Sequence, residues 1–101
     1  MLFPSDSEIN TLSLHNLHDL EYINDFPKSL HSISIQKTSE KLDTIPEFSS
    51  NKYKILLNET RIKTLPSLPK CIDKIHFEHC DFIGNQQIII PDNTNTVFIK
   101  K

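Results

Sequence analysis

The chain has 101 residues, with 11 basic against 13 acidic side chains and a formal net charge of -2, so it carries no field that would concentrate nucleic acid or an anionic membrane surface. At 37% hydrophobic and 24% charged residues, with 6 Pro and 1 Gly, it reads as one modest globular core rather than a disordered or linker-like segment. Alanine is absent while Ile and Leu supply 14 and 11 residues, which removes the best helix former and favours extended structure.

Two cysteines, Cys71 and Cys80, leave one disulfide arithmetically possible, but no CxxC pair or dense cysteine framework accompanies them. The opening MLFPSDSEIN has no basic n-region, and the longest strictly apolar run is three residues. No leader and no membrane span are therefore expected, and the expected location is cytoplasmic.

In chain order, Met1 to Glu8 is expected to be a tail or a partial N-terminal cover. Four segments then share one pattern of apolar anchors: INTLSLHNL from Ile9, LHSISIQKT from Leu30, KYKILLNET from Lys52 and IDKIHFEHC from Ile72, with a partial fifth, TNTVFIKK, ending at Lys101. The second anchors Leu12, Ile33, Ile55, Ile75 and Val97 are 21, 22, 20 and 22 residues apart, and the third anchors Leu14, Ile35, Leu57, Phe77 and Ile99 repeat those spacings. Lys52 and Thr94 weaken the first-anchor column. Periodicity of this length marks a stack of supersecondary units, with repeats near 9–29, 30–51, 52–71, 72–93 and a partial 94–101 in a single domain.

Strand cores are expected at Thr11 to Leu14, Ser32 to Ile35, Lys54 to Leu57, Lys74 to Phe77 and Thr96 to Ile99, adjacent and parallel, with both anchor columns pointing inward. Residues 9–23 leave a second possibility open, because LSLHNLHDLEYI also reads as a helix reaching from Asp6 to Tyr22. The returns are too short for a helical crossover and contain Pro27, Pro46, Pro66, Pro69 and Pro91. Each proline removes a donor and restricts its predecessor, so extended returns with one 3₁₀ turn each are expected. Their inward residues should include Leu20, Ile23, Phe26, Leu42, Ile45, Phe48, Ile62, Leu65, Leu68, Phe82 and Ile90.

With these residues in view, the chain resembles a short leucine-rich repeat protein. TLPSLPKCIDKIHF is similar to the LPxLP-type repeats of bacterial effectors, and PKSLHSISI and PDNTNTVFI are similar to Ile-Pro-rich repeats of about 22 residues in some amoebal and large-virus proteins. The resemblance implies a mostly β, α/β-type solenoid with parallel strands and short irregular or 3₁₀ returns. It says little about partner or chemistry. The Asn that follows the strand in that family is replaced by Leu17, Thr38, Thr60 and Cys80, so the turns are expected either to be less completely satisfied or to differ.

Alternation places Thr11, Ser13, His15, Ser32, Ser34, Gln36, Lys54, Leu56, Asn58, Lys74, His76, Glu78, Thr96, Phe98 and Lys100 on one outward face. Leu56 and Phe98 are its only large apolar members. A few apolar anchors within hydrogen-bonding rims suit a protein partner, and the expected contact set on the concave sheet face is Lys54, Leu56, Asn58, Lys74, His76, Glu78 and Phe98. A solvated face that merely keeps the domain soluble is the plainer reading.

Other chemistries are disfavoured. His76, Glu78, His79 and Cys80 are zinc-ligand types, but His76 and Glu78 are expected to face outward together while Cys80 occupies the repeat's inward turn position. No third group is evident to orient His79 as a base for Cys80, Cys71 beside Lys70 needs no catalytic explanation, and a single glycine, Gly84, excludes phosphate-binding glycine loops. The C-terminal cations Arg61, Lys63, Lys70, Lys74, Lys100 and Lys101 are interrupted by Glu59, Asp73, Glu78, Asp81 and Asp92. The expectation is a protein-binding module with no enzymatic activity, cofactor, metal, nucleic-acid or membrane partner. The competing reading is structural assembly, in which the last strand pairs with another copy through its open edge.

Overall fold

The apolar columns resolve into five parallel strands in chain order. In a computed structural model that describes residues 9–48 and 53–101, they are β1 (Thr11–His15), β2 (Ser32–Gln36), β3 (Tyr53–Thr60), β4 (Ile72–Cys80) and β5 (Thr96–Lys100). They form one sheet of order β1-β2-β3-β4-β5. This is a mostly β solenoid: each strand pairs with the next, and each return runs behind the sheet to the next edge. Residues 9–23 begin with a strand, because Leu12 and Leu14 at period two continue the columns of β2. The expectations for Met1 to Glu8 and Lys52 lie outside the described residues.

Register follows the anchor columns. Leu12 pairs with Ile33, Ile33 with Ile55, Ile55 with Ile75 and Ile75 with Val97. The third anchors align in the same way, from Leu14 through Ile35, Leu57 and Phe77 to Ile99. The weak first-anchor column at Lys52 has a structural answer one residue later. Tyr53 pairs with Ile72 while Lys54 pairs with Lys74, so a bulge with Asp73 as the extra residue brings Tyr53 into the core.

The core lies between the sheet and its returns. Leu30, Ile33, Ile35, Leu42, Leu57, Ile62, Ile75, Phe77 and Phe82 are all at or near zero exposure, and each such side chain contributes about 1.5–3 kcal/mol by leaving water. Leu20, Phe48, Leu68 and Ile90 are only partly covered at its margin. Aromatic rings stack from coil to coil: Phe26 lies 5.8 Å from Phe48, which meets Tyr53 edge-on at 5.3 Å, and Phe77 meets Phe82 edge-on at 5.2 Å.

Two expectations need correction. Val97 and Ile99 are not buried: they are 45% and 39% exposed, because no described coil packs beyond β5. A 3₁₀ turn does not recur in each return; among the described residues one is present, Asp81–Gly84. The other returns close with simple turns and coil-to-coil hydrogen bonds such as Lys63 N–H to Asp43 O (2.8 Å) and Phe82 N–H to Ile62 O (2.9 Å).

Near the C-terminal end of each of the first four strands one residue leaves the extended conformation: Asn16 and Lys37 just after β1 and β2, Glu59 and His79 within β3 and β4. Asn16, Lys37, Glu59 and His79 all have left-handed backbone, with φ of 59°, 53°, 53° and 54°. Each stands immediately before the position where the family carries Asn. There the Cys80 thiol, turned into the core, donates to the Leu57 carbonyl of the preceding strand at 3.3 Å.

Candidate functional site on the outward sheet face

The parallel register converts strand alternation into rows. One row reads Ser32, Lys54, Lys74, Thr96; the next Ser34, Leu56, His76, Phe98; the third Gln36, Asn58, Glu78, Lys100. All seven expected contact residues therefore come together on β3, β4 and β5, with the apolar and aromatic members in the central row. Lys54, Lys74 and Phe98 are exposed, and Leu56, Asn58, His76 and Glu78 are half-buried.

The central row is held in place by its neighbours. The His76 ring stacks on Phe98 with centroids 4.6 Å apart and planes 24° from parallel. Its Nε2 lies 3.1 Å from Glu78 Oε1, while His79 Nε2 is 3.4 Å from Glu78 Oε2. One carboxylate thus braces two imidazoles, and each contact becomes an ion pair when its ring is protonated. His79 reaches Glu78 because its left-handed backbone departs from strand alternation.

Lys54 Nζ is 4.0 Å from Asp73, the bulged residue, which also accepts a hydrogen bond from Asn95 Nδ2 at 2.7 Å. Asn58 Oδ1 is shielded and takes no hydrogen bond among the described residues. A shallow depression of about 190 Å³ lies between Ser32, Ser34, Lys54, Leu56, Lys74 and His76.

The half of the face on β1 and β2 is different in kind. His15 Nε2 lies 3.0 Å from Ser34 Oγ, and Gln36 Nε2 donates to Ser34 Oγ at 3.1 Å and lies 3.3 Å from His15 Nε2. These polar groups satisfy one another and expose no large apolar side chain.

No group of three or more His, Cys, Asp and Glu side chains converges to hold a metal among the described residues. Cys80 is buried, and its thiol faces the backbone carbonyls of Leu57 (3.3 Å) and Glu78 (3.4 Å) rather than the side chains of His76 and Glu78. Burial pushes its thiol above the ordinary value of 9.0, opposed in part by polar contacts with Thr60. Cys71 is exposed and lies in a depression of about 650 Å³ at the strand-start edge near Tyr53, Asp73 and Asn95.

Two residues that hold the coils together were not legible in the sequence. Gln86 makes a two-pronged contact with the backbone of Leu65, accepting from its N–H at 2.8 Å and donating to its carbonyl at 3.3 Å. Ser29 Oγ donates to the Ile9 carbonyl at 2.8 Å. No helix is long and apolar enough to cross a membrane among the described residues. No family model, curated protein or solved structure matches this chain.

Proposed function

We propose that this chain is a non-catalytic protein-binding module of the leucine-rich repeat kind, working in the cytoplasm and engaging its partner through the outward face of β3 to β5. The observation that carries this reading is the central row Leu56, His76, Phe98, in register across three strands and flanked by two polar rows. Interfaces draw most of their energy from a few such anchors in a water-excluding rim. The His76–Phe98 stack limits the ring freedom that binding would otherwise remove. Lys54 and Lys74 side by side on one flank favour a partner that presents an acidic group there.

The test is titration calorimetry with the partner captured from the native cell. Leu56→Ala should weaken the complex by about 1–3 kcal/mol while circular dichroism remains that of the wild type. Glu78→Lys should act mainly through His76 and His79, which it would release, and the part of its effect due to charge should shrink as salt is raised. Unchanged affinity for Leu56→Ala would remove this face from the functional surface.

A further inference from the structure

Two lysines stand directly opposite one another on the outward face. Lys54 of β3 and Lys74 of β4 are register partners, about 4.8 Å apart at the backbone, and like charges so placed destabilise a sheet unless something offsets them. Little in the chain does. The Lys74 ammonium makes no hydrogen bond or ion pair among the described residues. Lys54 reaches only Asp73, at 4.0 Å and with both side chains more than half exposed, and that carboxylate already accepts from Asn95 at 2.7 Å. Glu78, two rows away on β4, is engaged by the imidazoles of His76 and His79.

Both lysines line the depression of about 190 Å³ beside Leu56, and no carboxylate among the described residues lines it with them. The space equals about six waters at roughly 30 Å³ each. Ser32, the register partner of Lys54, borders it with a hydroxyl that has no hydrogen-bond partner among the described residues, whereas the Ser34 hydroxyl is already held by Gln36 and His15. We propose that this depression receives a phosphorylated side chain of the protein partner, its phosphate held by Lys54, Lys74 and Ser32 and its flanking chain lying on Leu56.

This assignment rests on the sheet-face reading of the function and gives its partner a chemistry. A carboxylate would bring one charge and two acceptor oxygens against two ammonium groups. A phosphate monoester brings a charge of about −1.5 to −2 and three acceptor oxygens, so it offsets both lysines and leaves an oxygen for Ser32. Lysine binds phosphate as a point charge on a flexible stem, which lets side chains from adjacent strands close on one anion without the fixed fork of a guanidinium. The apolar wall at Leu56 favours a phosphate carried on a peptide over the free anion, because only the peptide has atoms to cover that wall.

The experiment is calorimetric titration of the full chain with four probes: a short peptide carrying phosphoserine beside leucine, the same peptide unphosphorylated, the same peptide with glutamate in that place, and inorganic phosphate. The phosphopeptide should bind at least about tenfold more tightly than the other three, and its affinity should fall as salt is raised. Lys54→Gln and Lys74→Gln should each weaken it by about tenfold, yet Lys74→Gln should leave the urea midpoint without phosphate no lower than wild type, since it removes a like-charge pair. Equal affinity for the glutamate peptide overturns the phosphate, and equal affinity for inorganic phosphate overturns the phosphorylated segment. No binding of the phosphopeptide, or indifference to both lysine variants, overturns the seat altogether. The captured partner separates this assignment from the reading beneath it: a complex weakened by Leu56→Ala but not by phosphatase treatment of the partner keeps the sheet face and overturns the phosphate seat, whereas one weakened by Lys54→Gln and by phosphatase but not by Leu56→Ala supports the seat and overturns the anchoring role of Leu56.

Discussion

At the scale of single residues, position in the repeat does not fix what a side chain is worth; the coil packed over it does. Ile55 and Val97 hold the same anchor in different coils, one 1% and the other 45% exposed. Ile55→Ala should therefore cost about 2–4 kcal/mol, since the surrounding coils cannot close the cavity. Val97→Ala should cost less than about 1 kcal/mol, because much of that side chain never leaves water in the monomer. Chemical denaturation of dilute protein measures both, and equal losses would mean that β5 is sealed in the monomer.

The two cysteines should separate in the same way. Cys71 should react with an alkylating reagent in the native state and Cys80 only in denaturant. Because burial raises the Cys80 pKa, the folded chain holds that proton more tightly than the unfolded chain does. The stability this gives is complete below the ordinary thiol value of 9.0 and falls as pH rises beyond it, since the unfolded thiol ionises first. The decline in urea midpoint above that pH should be smaller in Cys80→Val than in wild type.

At the scale of elements, the four left-handed turn residues are a recurring backbone cost. A residue with a Cβ in this conformation loses about 1–2 kcal/mol relative to the right-handed form, and Lys37, Glu59 and His79 lack the local hydrogen-bonding habit that makes Asn16 tolerant. Glu59→Gly should stabilise the fold by about 0.5–1 kcal/mol, the relief of strain outweighing the extra entropy of the unfolded chain. Thermal unfolding checks it, and a lower midpoint would show that the Glu59 side chain holds the turn.

Such turns were illegible in the sequence because the usual signal, a glycine, is missing at all four positions. The strands were legible, since their inward residues repeat at period two within a coil and at 20 to 22 residues between coils. The bulge at Asp73 was visible only as a flaw, Lys52 standing where an apolar anchor belonged. The 3₁₀ turn was overextended to every return, because proline specifies an extended or turn backbone without saying which.

At the scale of the whole molecule, stacking turns five unremarkable short segments into a surface. The seven site residues were named from alternation alone, and parallel register brings them to three neighbouring strands. What alternation could not supply was the lateral chemistry: His76 stacked on Phe98, Glu78 held between His76 and His79, and the self-satisfied cluster of His15, Ser34 and Gln36. Those contacts need the distance between strands, which no single segment encodes. They also divide the face into a half that carries apolar and aromatic side chains and a closed polar half. A larger depression lies at the strand starts, around Tyr53, Cys71 and Asn95.

The measurement that bears most directly on the sheet face as the working surface is amide and methyl chemical-shift mapping of the labelled chain titrated with its captured partner. The expected perturbations centre on Leu56, His76 and Phe98, extend to Lys54, Lys74, Asn58 and Glu78, and leave Ser13, His15 and the returns unchanged. Perturbations centred instead on Tyr53, Cys71 and Asn95, with Leu56 and His76 silent, would contradict it.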